Sequence, residues 1–188
     1  MDDLNQTKIV ANLRLAKLVY KRAISAGGCL FYKTGTDPRG LVQLLLIRYT
    51  NPDYPSLDDL GGKTDLEDRS ILETIYREVE EETNNLITRE RIFNALLPKA
   101  SSVDGTIAPS SVSSFYNERS KYYLLLIRVD EDFFPDTTVF GVREHSDDIG
   151  RTIDWWPFDE ARDRLSHRLA NNDDLMRHLG TANSGTSP

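Results

Sequence analysis

The sequence predicts an α/β chain in which a β-sheet is covered on both faces by α-helices. Three observations lead there. Val42–Tyr49 (VQLLLIRY) and residues 122–129 (YYLLLIRV) are apolar runs of strand length without strict alternation, as strands buried on both faces require. Leu72, Ile75, Tyr76 and Val79 recur at i, i+3, i+4 and i+7, one buried face of a helix. With 188 residues, 39% of them hydrophobic, the chain has material for one packed domain, which excludes wholesale disorder.

Each element follows in order. Residues 1–23 place Leu4, Ile9, Val10 and Leu13 at mostly helical spacing with Lys8, Arg14, Lys17 and Lys21 between them, an N-terminal amphipathic helix with a basic face. Residues 24–34, with Gly27, Gly28, Leu30 and Phe31, read as a strand that stops at Gly35-Thr36-Asp37-Pro38 and pairs with Val42–Tyr49. Residues 94–114 are rich in Ser and hold Pro98 and Pro109, so a short strand and a long loop are expected. Residues 153–157 form a last strand stopped by Pro157. Asp159 then caps a C-terminal helix through Leu179, Gly180 ends it, and residues 180–188 are a disordered tail. The globular domain is thus expected over residues 24–179.

Charge and cysteine usage narrow the classes. Lys and Arg total 23 against 30 Asp and Glu, a net charge of −7, which disfavours a broad nucleic-acid footprint. The single cysteine, Cys29, cannot form an intrachain disulfide and lies in an apolar stretch, the context of a buried structural thiol. A basic start with an apolar run is missing, and about 18 consecutive apolar residues occur nowhere; a cytoplasmic protein without membrane contact is expected.

Chemistry concentrates in residues 61–85, GGKTDLEDRSILETIYREVEEETNN. At about 100° per residue, Glu78, Glu81 and Glu82 share one helix face, while Glu73 and Glu80 point elsewhere. Three like charges on one face repel, and a divalent cation removes that cost; hard cations such as Mg²⁺ or Mn²⁺ take such oxygen ligands. A solvated acidic helix face is the other reading of the same pattern. Gly61 and Gly62 allow close backbone approach to a ligand, and Lys63 and Arg48 are candidate phosphate contacts.

Gly62 followed by Arg77-Glu78-Val79-Glu80-Glu81-Glu82-Thr83-Asn84 resembles the Nudix box. That family implies a mixed β-sheet sandwiched between α-helices, over roughly residues 24–170. The resemblance implies metal binding by Glu78, Glu81 and Glu82, an ion pair from Arg77 to a carboxylate, and a further acid from a loop, for which Glu144 is the nearest candidate. Three departures stand out. Residues 63–76 number fourteen where the box has thirteen, so the box glutamate is displaced and Asp68 or Glu67 replaces it. Asn84 stands at the box glycine, with Asn85 where an apolar residue is usual; Asn tolerates the left-handed conformation, so a helix stop is still expected.

The resemblance implies a metal-dependent pyrophosphohydrolase that cleaves a nucleoside diphosphate linked to another moiety by attack of water on phosphorus, with Mg²⁺ or Mn²⁺ and a general base among Glu81, Glu82 and Glu144. Substrate identity is left open. Tyr49, Tyr54, Phe115, Tyr116 and Trp155 are candidates to stack on a base. Capped RNA is a second substrate class, for which Lys8, Arg14, Lys17, Lys21 and Arg22 would supply backbone contacts. A catalytically silent binding module is a third reading. Dimers are frequent in the family, and the N-terminal helix is an available surface for one.

Overall fold

In the computed structural model, residues 24–35, 41–96, 112–130, 133–134, 136–143 and 150–183 are described. The strands are β1 (Ala26–Thr34), β2 (Val42–Tyr49), β3 (Leu57–Asp58), β4 (Leu60–Lys63), β5 (Val112–Asn117), β6 (Tyr122–Arg128) and β7 (Arg151–Pro157). The helices are α1 (Ile71–Glu82), α2 (Arg89–Leu96), α3 (Phe158–Ala161), α4 (His167–Ala170) and α5 (Asp173–Asn183). Along one path the sheet runs β3-β2-β1-β6-β5, with β4 added beside β1 and β7 beside β2. Only β1 and β6 pair in parallel among the described strands, so the sheet is mixed.

Alternation along the strands builds two cores. Cys29, Phe31, Leu45, Ile47, Tyr123 and Leu125 face α1 and α2, whereas Leu30, Leu44, Leu46, Leu124 and Leu126 face Leu165, Leu169, Leu175 and Leu179 of the C-terminal segments. Helices therefore cover both faces, as the unbroken apolar runs required. Cys29 is fully buried, and burial pushes its thiol well up, which fits a structural residue.

The start of β1 passes β4 where, at two of the four paired positions, neither strand has a side chain: Gly27 lies opposite Gly62 and Gly28 opposite Gly61. A Cβ on Gly27 would meet Ile71 at 2.6 Å, and one on Gly62 would meet the Glu78 carboxylate at 2.4 Å. On the other face a Cβ on Gly28 or Gly61 would meet the Tyr122 hydroxyl at 2.0 or 2.3 Å. Four glycines thus let α1 and the Tyr122 ring approach the sheet from opposite sides.

Several expectations need correction. The C-terminal helix is not continuous from residue 159: Pro157 starts α3, a 3-10 turn follows at Arg162–Arg164, and Leu165 is extended before α4 and α5. Leu165 must leave the helical path because it bridges Leu57 of β3. Gly180 does not end the last helix, which runs to Asn183; its side chain accepts from Val42 N at 2.9 Å and donates to Asp159 at 3.1 Å. The stretch expected as strand and loop starts instead with α2, and its strand is β5. Residues 1–23, 97–111 and 184–188 lie outside the described residues, and with them the expected N-terminal helix and most of the tail. No helix of the described residues is long and apolar enough to cross a membrane.

The two kinds of glycine should respond oppositely to a methyl group. Gly28→Ala or Gly61→Ala should cost about 1–3 kcal/mol or more through overpacking, whereas Gly180→Ala, with nothing within 4 Å of its Cβ, should add about 0.5–1 kcal/mol. Urea unfolding of the three variants measures both.

Candidate active site

The helix that carries the glutamates begins at a built cap. Ser70 is extended and its hydroxyl accepts from Glu73 N at 3.2 Å, while Glu73 reaches back to accept from Arg69 N. At the other end Glu80 accepts from Arg89 N at 2.7 Å, the first residue of α2. The two glutamates set apart by helical geometry thus have structural work. Asn84 and Asn85 both take positive φ, 52° and 63°, so the chain does leave the helix in the left-handed region. Asn84 also uses its amide, donating to Phe140 O at 2.9 Å and Arg143 O at 3.1 Å, a bond that glycine could not make.

Arg77 organises the acidic face. Its guanidinium donates to both oxygens of Asp68 at 3.2 and 3.0 Å, to Glu78 Oε1 at 2.9 Å, to Glu81 Oε2 at 3.1 Å and to the Lys63 carbonyl at 2.9 Å. Of the two candidate carboxylates, Asp68 is the one that Arg77 holds. It is held further by Asp65 N and the Thr74 hydroxyl, both at 2.8 Å. The turn between β4 and α1 carries the fully exposed Leu66. Hydrogen bonds from Arg77 pull the Asp68 carboxyl down to about 2, against the effect of burial and with help from Asp65 N and Thr74.

The three metal-candidate glutamates divide between two environments. Glu81 is 44% exposed on its side chain and sits with Arg77 in a cleft of about 440 Å³ that Arg69, Arg89 and Glu67 also line. Glu82 is 6% exposed, and its Oε2 is buried with no hydrogen-bond partner among the described residues. Burial pushes the Glu82 carboxyl well above the usual range; Arg168 pulls it down, and Asp59, Glu78 and Asp58 push it further up. Glu78 lies between, against Gly62. No three His, Cys, Asp or Glu side chains converge on one point among the described residues. The donor set nonetheless fits a hard divalent cation, because a buried carboxylate oxygen without a partner is what such an ion would satisfy.

Other candidates separate by sheet face. Lys63 is exposed at the end of β4, directly beside the Arg77 contact. Gly62 faces α1, but Gly61 faces Tyr122, and its carbonyl accepts from Arg168 Nη2 at 3.1 Å, so Gly61 is not on the glutamate side. Arg48 is likewise corrected. It alternates with Ile47 and Tyr49, lies on the face away from α1, and stands 6.0 Å from the Trp156 ring. Tyr49 is the residue of β2 that feels Glu82; burial raises its hydroxyl first, and the charges of Glu82 and Asp58 raise it further. Tyr54, 56% exposed, meets Tyr49 edge-on at 6.2 Å. Phe115 is on the far face against His178, and Trp155 donates to Phe134 O at 3.0 Å under Lys33. Glu144 lies outside the described residues.

Sequence reasoning missed Asp58, Asp59, Tyr122 and Arg168. Asp59 is fully buried; Tyr122 donates to its Oδ2 at 2.6 Å and Arg168 Nε to its Oδ1 at 3.0 Å. Arg168 Nε is also 2.7 Å from Asp58, whose carboxyl burial pushes up. The one available signal was Asp58-Asp59 directly before Leu60-Gly61-Gly62.

No protein-family model and no curated protein matches the chain. The chain is similar to Nudix proteins of known structure. An Ap4A hydrolase of C. elegans is 20% identical, covering 86% of this chain and 97% of its own, with a TM-score of 0.40. The NUDIX domain of Shewanella oneidensis NrtR, solved with ADP ribose, is 13% identical over 87% of this chain and 88% of its own, with a TM-score of 0.43. The M. smegmatis Nudix hydrolase RenU is 14% identical over 85% and 88%, with a TM-score of 0.42.

The Asp68 clasp has a pH signature. Its folded pKa is depressed, so the stability it contributes is present above about pH 4, where the unfolded carboxyl titrates, and is lost as pH falls through about 2. Asp68→Asn should destabilise the protein at neutral pH, and its deficit against wild type should close across that window in urea titrations at several pH values.

Proposed function

We propose that the chain is a Nudix-type hydrolase, a divalent-cation-dependent pyrophosphohydrolase that cleaves a nucleoside diphosphate linked to another moiety by attack of water on phosphorus. The observation that carries this reading is the buried, unpartnered Glu82 Oε2, one helical turn from Glu78 and adjacent to the Arg77-held Glu81. A solvated acidic face would leave its carboxylates in water; this one buries a carboxylate that the charges of Asp59, Glu78 and Asp58 reach, an arrangement that costs stability unless a cation or a proton relieves it.

Bound Mg²⁺ or Mn²⁺ supplies charge neutralisation at the phosphate oxygens and a water of lowered pKa. The chain's own groups supply the rest. Glu78, Glu81 and Glu82 offer oxygen ligands, and Arg77 restrains two of them through one nitrogen. Lys63, exposed next to that arginine, is placed to draw the diphosphate in. A carboxylate not committed to the cation takes the proton of the attacking water, with Glu81, Glu82 and Glu144 as the candidates. Tyr49 and Tyr54 give the glutamate side of the sheet an aromatic edge against which a nucleobase can stack.

The test is product release from nucleoside triphosphates, nucleotide sugars, dinucleoside polyphosphates and capped RNA with Mg²⁺ or Mn²⁺. Glu82→Gln and Glu81→Gln should lower kcat at least about 100-fold with folding nearly unchanged. Glu80→Gln should stay near wild type, because an amide oxygen can still accept from Arg89 N. Equal loss in all three variants would sink the assignment, and silence across the panel from a folded, Mn²⁺-binding protein would favour the binding module.

A further inference from the structure

The short strand β4 pairs with β1 along one edge and, among the described residues, has no partner strand on the other. In a strand, alternate carbonyls point to opposite edges. Thr64 N donates to Ser25 O at 3.1 Å, which sets the even-numbered groups toward β1. The carbonyls of Asp59, Gly61 and Lys63 therefore face the open edge. Two arginines from distant elements take all three: Arg168 Nη2 donates to Asp59 O at 3.3 Å and Gly61 O at 3.1 Å, and Arg77 Nη2 donates to Lys63 O at 2.9 Å. Guanidinium groups stand in for the missing strand.

Arg168 is itself fixed from every side. Its Nε donates to Asp59 Oδ1 at 3.0 Å and lies 2.7 Å from Asp58 Oδ1 in an ion pair, and its Cζ lies 4.6 Å from the centroid of the Tyr122 ring. Ser166 holds the same Asp58 oxygen at 2.6 Å. Such a buried charge network is a poor source of net stability against an apolar replacement of equal volume, but it defines geometry closely. The geometry it defines is that of Gly61 and hence of Gly62, whose Cα is the surface on which the Glu78 carboxylate rests.

The geometry points to Arg168 as a positioning residue for the glutamate site: from the opposite face of the sheet it holds the open edge of β4 in line with Arg77, so that Gly62 stays beneath Glu78. This inference rests on the hydrolase reading for its kinetic consequence, while its structural consequence does not.

Arg168→Lys keeps the cation near Asp58 and Asp59 but cannot donate from two faces of a planar fork to both a carboxylate and the Gly61 carbonyl. Tyr122→Phe is the control for network damage alone, since it removes the Asp59 hydrogen bond and leaves Arg168 on Gly61. In hydrogen exchange, Arg168→Lys should speed exchange of the Gly62 and Thr64 amides, which point to β1, by at least about tenfold relative to Tyr122→Phe of matched Tm. The concentration of Mn²⁺ needed for half-saturation should rise, and kcat should fall roughly 10- to 100-fold with little change in KM. Wild-type exchange at Gly62 and Thr64 in a folded Arg168→Lys would overturn the inference, as would equal exchange and equal Mn²⁺ affinity in the two variants. If wild type hydrolyses nothing, the hydrolase reading fails, and exchange together with Mn²⁺ affinity still decides the role of Arg168. Should Arg168→Lys not fold, the double variant Arg168→Lys/Asp58→Asn, which relieves the excess negative charge, carries the same readouts.

Discussion

The structure depends on a crossing without side chains. Where Gly27 and Gly28 of β1 pass Gly62 and Gly61 of β4, the backbone is thin enough for a helix on one face and a tyrosine hydroxyl on the other to come within contact of it. A methyl group at any of the four positions would meet Ile71, Glu78, Tyr122 or backbone at less than 3 Å. Close packing transmits such a clash, because a protein interior has little free volume to absorb it. The seat of α1, and with it the height of Glu78 and Glu82 above the sheet, follows from this one crossing.

Charge is then laid out around the crossing in two layers. On the α1 side Arg77 draws Asp68, Glu78 and Glu81 to a single guanidinium and ties them to Lys63 O. On the opposite side Arg168 draws Asp58 and Asp59 together over Tyr122. Glu82 feels both layers and is fully paired with neither, which is why burial dominates its titration. Glu73 and Glu80 cap α1 and α2, and their side chains line the same cleft as Arg77 and Glu81.

Much of the fold could be read from periodicity. The strand runs 42–49 and 122–128 are unbroken because both faces are covered, and the helix face of Ile75, Tyr76 and Val79 packs as its spacing required. The separation of Glu73 and Glu80 was legible only in part: both cap helices, yet both also line the cleft that holds Glu81. Legibility stopped where a residue's role depends on a contact across the fold. Arg48 reads like any cation near a site until the register of β2 turns it away from α1. The C-terminal helix reads as continuous until the bridge of Leu165 to Leu57 interrupts it.

By itself the sequence determined the fold class, the helix that carries Glu78, Glu81 and Glu82, and its stop at Asn84, because these follow from hydrophobic period and local backbone preference. Tertiary structure alone decided that Asp68 clasps Arg77, that Gly61 and Gly62 face opposite sides, that Glu82 Oε2 is buried with no hydrogen-bond partner among the described residues, and that Arg168, 107 residues beyond Gly61, holds its carbonyl. The reason is physical. Spacing along a chain sets which residues share a face, but burial and charge depend on what packs against that face, and those partners come from strands and helices far away in sequence.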